Sequence, residues 1–356
     1  MPTVLFAGAG TAGHVEPGLA VAHWLRQEHP EIDIKFLGTP GGVENNLVPA
    51  AGFQLLLVEK TPFPRRVNKE LFTWPLRFRR TLRETRTYMV SVDLLVGFGG
   101  YVAAPAYLAA RRARIPIIAH EANAKMGLAN RLAVRCGGVI LRAFVSGTDE
   151  VVGIPLRDSI VALAELNHDQ RQVEKIKSRR SMNLDPDAPT ILVFGGSLGS
   201  VKFNEAISQA QRDISKMGYQ IIHAVGGKNE VPLAQAGYLP MAYIQDMASA
   251  YAASDLVISR SGAVTVTETG VLGIYSLYVP LPIGNGEQAI NAQVVSDHGG
   301  GEVIPNKVFN AQWLIANIER LMTRAQSYSL TGIHQEFPLD ASAQIGRRIL
   351  KELINE

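Results

Sequence analysis

His14, placed directly after a run of glycines, is the first residue of this chain whose type and position suit acid–base chemistry. It follows Gly8-Ala9-Gly10-Thr11-Ala12-Gly13, which is preceded by the apolar run Val4-Leu5-Phe6-Ala7 and followed by a helical pattern. A helix N-terminus offers unpaired N–H groups and a partial positive charge; it lowers the pKa of a nearby imidazole and keeps it neutral near pH 7. That is the state of a general base that takes a proton from a hydroxyl. A second turn of the same kind, Gly195-Gly196-Ser197-Leu198-Gly199, follows Ile191-Leu192-Val193-Phe194. Backbone without Cβ atoms approaches an anion closely. Two such strand–turn–helix units imply paired nucleotide-fold domains facing a cleft, with a phosphate-sized turn in each.

Three further segments carry polar groups at strand ends. Ser259-Arg260-Ser261-Gly262-Ala263-Val264-Thr265-Val266-Thr267-Glu268 reads as a strand end, a small-residue turn and a helix start. Its N–H groups suit a diphosphate, and Glu268, one turn inside, suits the vicinal hydroxyls of a ribose. Gln288 and Asn291 lie three apart on the next helix face, within reach of sugar hydroxyls. After the strands at 94–97 and 115–120 come Gly97-Phe98-Gly99-Gly100-Tyr101-Val102 and His120-Glu121-Ala122-Asn123. Asn123 suits substrate contact, whereas His120 and Glu121 fit a ligand role and a hydrogen-bonded cluster closing the sheet equally well.

The first turn also satisfies G-x-G-x-x-G, the fingerprint of dinucleotide oxidoreductases. That chemistry needs an acidic residue at the end of the second strand to hold a ribose. Here the strand ends Phe36-Leu37-Gly38-Thr39-Pro40, and the acids Glu31 and Asp33 stand at its beginning. The only D-x-D triplet, Asp185-Pro186-Asp187, falls in a proline-rich linker and reads as a turn, so no metal or cofactor is expected.

The elements that position these groups follow from length and pattern. A chain of 356 residues with 47% hydrophobic content fits two domains better than one. Short apolar strands alternating with helices imply parallel sheets covered on both faces. The second series of strands begins at Ile191 and continues through 221–224, 242–244, 256–259, 276–279 and 302–304. The crossing between domains is placed near Gly153-Ile154-Pro155-Leu156-Arg157, giving an N-terminal domain over 1–157 and a C-terminal domain over 158–340. A last helix over 341–356 packs back on the first domain.

Cys136 is the single cysteine, so no intrachain disulfide forms and a reducing compartment is favoured. No apolar run is long enough to span a bilayer. Charged content is 19%, against about 25% in an ordinary soluble protein. The net charge of +3 conceals a local +7 between Lys60 and Arg86, where Lys60, Arg65, Arg66, Lys69, Arg77, Arg79, Arg80, Arg83 and Arg86 face only Glu70 and Glu84. Trp74, Phe78 and Leu82 recur every four residues there, with Arg79, Arg83 and Arg86 on another face. This is the pattern of an amphipathic helix on an anionic membrane; its alternative is a surface helix packed on its own domain. No nucleic-acid recognition motif accompanies the charge.

Ala7–Pro17, Gly97–Val102, His120–Asn123, Pro155–Arg157, Gly195–Gly199, Tyr243–Met247, Ser259–Glu268 and Gln288–Ala292 run in this order through nearly the whole chain. Together they resemble the MurG family of N-acetylglucosaminyltransferases, which convert lipid I to lipid II in peptidoglycan synthesis. The resemblance implies a GT-B fold, two Rossmann-like α/β domains facing a cleft, and an inverting, metal-independent hexosyltransferase at the cytoplasmic face of the cell membrane. It implies UDP-N-acetylglucosamine (UDP-GlcNAc) on the C-terminal domain and the undecaprenyl-linked acceptor on the N-terminal one. Residue by residue, it puts Thr11, Ala12 and Gly13 beside the donor sugar, with Asn123 among its hydroxyl contacts. Arg157 and Ser197 meet the nucleotide diphosphate, with Arg260 nearby. The backbone of Ile244 reads uracil, Ala263, Val264, Thr265, Val266, Thr267 and Glu268 hold diphosphate and ribose, and Gln288 binds N-acetylglucosamine (GlcNAc). His14 is the catalytic base. Ala12, Ala122, Ile154 and Leu198 depart from the family pattern, and the side-chain amides usual at 122 and 198 are lost. A UDP-GlcNAc 2-epimerase, a non-catalytic nucleotide-sugar-binding membrane protein and a different lipid glycosyltransferase are the alternative readings.

Overall fold

The computed structural model describes residues 1–62, 64, 69–145, 149–282, 286–328 and 337–354. They divide into two compact units, Met1–Arg157 with Pro338–Glu356, and Asp158–Phe337.

In the first unit, β1 (Thr3–Gly8), β2 (Asp33–Gly38), β3 (Gln54–Leu57), β4 (Leu94–Gly99), β5 (Ile117–Glu121), β6 (Val139–Arg142) and β7 (Glu150–Val151) pair in the order β3-β2-β1-β4-β5-β6-β7. Every pairing is parallel. The central strands β1, β4 and β5 are buried along their whole length, which is why they read as continuous apolar runs. Helices α1 (Ala12–Glu28) and α2 (Glu44–Ala50) cover one face, α3 (Lys69–Tyr88), α4 (Ala103–Ala113) and α5 (Leu128–Arg135) the other. On the α1 face the Phe6 ring stacks between Phe36 and Phe98, with centroids 5.2 and 5.8 Å away. The α1 helix begins at Ala12, so His14 lies in its first turn and Pro17 inside it.

The stripe of α3 faces its own unit. Trp74, Phe78 and Leu82 are half-buried, the Trp74 indole donates to the Thr61 carbonyl at 3.4 Å, and Thr81 and Thr85 are buried beside them. The apolar residues that α3 turns to solvent are Phe72 and Leu76, with Arg79, Arg80, Arg83 and Arg86 also exposed. The expected membrane stripe is thus a packing stripe. Arg65, Arg66 and the side chain of Lys69 lie outside the described residues.

The second unit repeats the design. Strands β8 (Thr190–Phe194), β9 (Gln220–Ala224), β10 (Tyr238–Met241), β11 (Leu256–Ser259), β12 (Ser276–Tyr278) and β13 (Gly301–Val303) pair in parallel in the order β10-β9-β8-β11-β12-β13. Around them lie α6 (Asp158–Glu165), α7 (His168–Ser181), α8 (Val201–Lys216), α9 (Met247–Ala253), α10 (Ala263–Leu272), α11 (Glu287–Ser296) and α12 (Ala311–Ser327). The strand expected over 242–244 is instead β10, four residues earlier, and it contains Pro240. Proline is tolerated because β10 is an edge strand. Asp255 joins α7 to the sheet, accepting from Lys175 at 2.7 Å, Arg179 at 2.6 Å and the Thr190 N–H at 2.7 Å.

In each unit strand order reverses beside the first strand, between β1 and β4 and between β8 and β11. Loops leaving those two strands turn in opposite directions and open a crevice at their carboxyl ends. The first glycine turn lies at that edge of the first sheet, and the second glycine turn and the Ser259–Ala263 turn at that edge of the second.

Helix α13 (Ala341–Ile354) returns to the first unit, where Ile345 and Ile349 join the α1-side core. Gly346 lies against Trp24 so closely that a Cβ there would overlap the indole. Gly346→Val is expected to destabilise the protein by about 1–3 kcal/mol, read from denaturant unfolding. Unchanged stability would mean that α13 does not need this close approach.

Candidate active site

In the first unit the site is assembled at the β1 and β4 ends. His14 N–H donates to the Thr11 carbonyl at 3.1 Å, and the Thr11 hydroxyl lies 3.1 Å from the imidazole Nδ1. Gly99, in the left-handed region at φ 94°, passes against the ring, where a Cβ would stand 3.1 Å from Cδ2. Burial lowers the His14 pKa from its ordinary value; the charge of Glu121, the Ala9 carbonyl and the charge of Glu44 act in the opposite sense. The imidazole is therefore neutral at pH 7, through desolvation. Thr11 is the exposed N-cap of α1, and Ala12 and Gly13 are half-buried in its first turn.

The loop after β5 resolves the ambiguity over His120 and Glu121. His120 is buried, with Nε2 2.8 Å from the Gly153 carbonyl, and Glu121 accepts from Asn123 N–H at 3.0 Å, Gly127 N–H at 2.8 Å and Asn130 Nδ2 at 2.9 Å. Both are structural. The Asn123 amide also reaches Glu121, at 3.2 Å, so this carboxylate fixes the loop that presents Asn123. Arg157 stands in this unit too, with Nη1 3.9 Å from a Glu16 carboxylate oxygen of α1.

In the second unit the α10 N-terminus is open. Its N-cap is Gly262, no side chain caps it, and no acidic residue stands in its first turn. Val266 N–H returns to the Gly262 carbonyl at 3.0 Å, leaving the amides of Ala263, Val264 and Thr265 ahead of the helical ladder. A Cβ on Gly262 or on Gly196 would meet nothing within 4 Å. Ser197 is half-buried in the Gly195–Gly199 turn, and Leu198 is exposed. Ile244 is buried in the loop between β10 and α9, so its side chain is committed to the interior. Val266, Thr267 and Glu268 are buried, and Glu268 accepts from the Tyr251 hydroxyl at 2.9 Å. Gln288 accepts from the Leu281 N–H at 2.9 Å through its amide oxygen, and Asn291 Nδ2 lies 3.4 Å from the Ser261 carbonyl.

Arg260 departs from expectation. It is buried, its guanidinium donates to the Val279 carbonyl at 2.8 Å, Asn306 Oδ1 at 2.7 Å and Ser200 Oγ at 3.0 Å, and it lies over the Phe203 ring at 4.7 Å. These contacts make it a brace between the turns after β8 and β11 rather than a phosphate ligand. Asp185 and Asp187 form a local turn, with Asp187 N–H on Asp185 Oδ1 at 2.9 Å. Among the described residues no group of three or more His, Cys, Asp or Glu is placed to hold a metal ion.

Two residues that contact the site carry little signal in the sequence. Tyr251 is one apolar-looking position within the short α9, and its hydroxyl meets Glu268 only through the fold. Glu44 is one of many charged residues, yet it is fully buried against the first glycine turn, with Oε2 3.0 Å from the Gly10 N–H. The adjacent Gly41-Gly42 pair was the one available hint of a close approach there.

This arrangement is matched among known proteins. Residues 4–137 match the glycosyltransferase family 28 N-terminal domain and residues 190–344 the glycosyltransferase family 28 C-terminal domain. A protein of Corynebacterium glutamicum named UDP-N-acetylglucosamine–N-acetylmuramyl-(pentapeptide) pyrophosphoryl-undecaprenol N-acetylglucosamine transferase is 46% identical, covering 88% of this chain and 87% of its own. A protein of the same name from Streptomyces coelicolor is 42% identical, covering 99% and 96%. The crystal structure of MurG from Acinetobacter baumannii superposes with a TM-score of 0.73 at 28% identity, covering 99% of this chain and 100% of that one. Two parallel-sheet, Rossmann-like units are the GT-B architecture. With both domains matched in order and the relatives alike along most of their length, the chain belongs to glycosyltransferase family 28.

Proposed function

We propose that this protein transfers N-acetylglucosamine from UDP-GlcNAc to the 4-hydroxyl of the muramoyl unit of lipid I, forming lipid II for peptidoglycan synthesis. The observation that carries this reading is the 46% identity, over 88% of the chain, to a relative named for that transfer. The open amides at the α10 N-terminus support it, because a departing diphosphate needs oriented donors with no reorganisation at the moment of reaction.

The mechanism is a single displacement with inversion. The acceptor oxygen attacks the anomeric carbon, the bond from that carbon to the β-phosphate oxygen breaks, and its electron pair leaves with UDP. The hydroxyl proton passes to His14, whose half-buried imidazole has a lowered pKa that favours the neutral form able to receive it. Donor binding is assigned to the second unit: the Ile244 backbone to uracil, Glu268 to the ribose, Ser197 and the amides of Ala263, Val264 and Thr265 to the diphosphate, and Gln288 to the sugar; the Val266 amide is taken by the Gly262 carbonyl, so Val266 and Thr267 support this helix start from within. Arg157 adds positive charge at the diphosphate. Thr11, Ala12, Gly13 and Asn123 line the sugar from the first unit. The Tyr251 hydroxyl holds one Glu268 oxygen and orients the carboxylate toward the ribose.

The membrane contact is assigned to the exposed side of α3. Phe72 and Leu76 enter the interface, and Arg79, Arg80, Arg83 and Arg86 meet anionic headgroups, each contributing about 1 kcal/mol before screening. Among the described residues no helix is long and apolar enough to cross a membrane. The resemblance to the MurG family and the exposed basic and apolar residues of α3 support a peripheral place at the cytoplasmic face of the cell membrane.

Incubation with labelled UDP-GlcNAc and a lipid I analogue in the presence of EDTA is expected to label the lipid; label on no lipid acceptor, or sugar epimerised without one, refutes the reading. His14→Ala is expected to lower kcat by about 10²–10⁴-fold. The parent's kcat/KM should fall with acid only below the ordinary histidine pKa of about 6.5, since a lowered pKa keeps the base neutral to lower pH. Turnover by a folded, donor-binding His14→Ala protein within about twofold of the parent would remove the base role. Phe72→Ser with Leu76→Ser is expected to reduce sedimentation with anionic vesicles while leaving transfer to a short-chain soluble acceptor intact. Equal binding by parent and variant would exclude this face of α3.

A further inference from the structure

The first glycine turn is built around an anion supplied by the chain itself. Glu44 is fully buried at the start of α2. Its Oε2 accepts the Gly10 N–H at 3.0 Å, and its Oε1 accepts the Thr39 N–H at 2.9 Å and the Thr39 hydroxyl at 3.0 Å. Gly38 and Gly42 make room for it: a Cβ on Gly38 would lie 2.7 Å from Glu44 Cγ, and one on Gly42 would overlap the carboxylate. Asn45 closes the same loop, donating to the Thr39 carbonyl at 2.7 Å and the Gly42 carbonyl at 3.1 Å. A carboxylate taken out of water must be satisfied by charge-assisted hydrogen bonds, and three donors supply them here.

The opposite side of the turn is walled by the loop after β4. A Cβ on Gly100 would overlap the Ala9 carbonyl, and Gly99 lies against the His14 ring. The segment from Ala9 to Gly10 is therefore held between backbone on one side and the Glu44 carboxylate on the other. Four residues on, His14 takes its orientation from Thr11, through one backbone and one side-chain hydrogen bond. A shift at Gly10 is passed to His14 through this short stretch.

We propose that Glu44 is a positioning residue for the transfer reaction: it fixes the Gly10 amide and with it the placement of Thr11 and His14, and the first glycine turn holds this carboxylate in place of a substrate phosphate. The inference rests on the reading of His14 as the base. It separates the two glycine turns by role. The one after β1 is closed by an internal anion and sets the geometry of the base, whereas Gly196 in the turn after β8 and Gly262 before α10 face open space.

The test compares Glu44→Gln and Thr39→Val with the parent in transfer kinetics, UDP binding by calorimetry and thermal unfolding. A glutamine keeps the volume but turns an NH2 group toward one of the two backbone N–H donors. For Glu44→Gln, kcat is expected to fall by about 10–100-fold, since a misplacement of about 1 Å costs up to about 10²-fold. The affinity for UDP should stay within about twofold, because the groups assigned to uracil and ribose lie in the second unit. Thr39→Val removes one donor and keeps both amide contacts, so its kcat should remain within a few-fold of the parent. A Glu44→Gln protein that melts earlier but turns over normally per folded molecule would overturn the proposal.

Glycine-selective 15N labelling of the parent gives a readout independent of that variant's folding. The Gly10 amide is expected far downfield, slow to exchange with solvent and unmoved by inorganic pyrophosphate. Exchange at the rate of an exposed amide, or a saturable shift with pyrophosphate, would overturn the proposal. A parent unable to transfer GlcNAc would instead defeat the functional reading, while the Gly10 signal would still report whether the carboxylate occupies the turn.

Discussion

Backbone N–H groups at the ends of buried parallel strands must find acceptors, and the way each unit meets that requirement organises this molecule. A strand running into a helix through a glycine turn leaves several amides pointing into the crevice at the carboxyl edge. After β1, Glu44 reaches in from α2 and accepts the Gly10 amide. At α10 the N-cap is Gly262, which has no side chain to cap the helix and leaves open space in front of it. One motif of strand, turn and helix thus ends on a carboxylate-filled turn beside His14 in one unit and on an open helix N-terminus in the other.

The polar groups around these turns divide accordingly. Glu121 takes hydrogen bonds from its own loop, Arg260 spans the turns after β8 and β11, and Asp255 holds α7 to the sheet. Each satisfies backbone or side-chain groups that would otherwise be buried alone, so each is structural although its residue type suggests chemistry. His14 differs because its surroundings tune it without saturating it with charge: burial lowers its pKa, and the carboxylates of Glu121 and Glu44 oppose that only in part.

Much of this was legible in the sequence, because it depends on local rules. Alternating buried strands and helices give two parallel sheets, glycines at strand ends mark the turns, and the order of motifs through the chain points to the family. Departures arose where a neighbour distant in sequence decides. The strand lies at 238–241 rather than 242–244: Pro240 argues against a strand in the sequence, and only its position at the sheet edge makes that proline harmless. The stripe of Trp74, Phe78 and Leu82 has the same periodicity whether it faces a bilayer or a core. The packing of α3 on Thr61 and on the loop after β3 turned it inward and left Phe72 and Leu76 outside.

What the sequence determined by itself was the pair of strand–turn–helix units, the placing of His14 at a helix start, and the run of small residues before Glu268. These follow from steric freedom at glycine and from apolar periodicity, which act over a few residues. The tertiary structure alone decided which turn is filled and which is open, that Arg260 is a brace, and that Tyr251 holds Glu268. Those outcomes depend on side chains such as Glu44 arriving from tens of residues away, and hydrogen-bond satisfaction between such groups leaves no periodic trace in the chain.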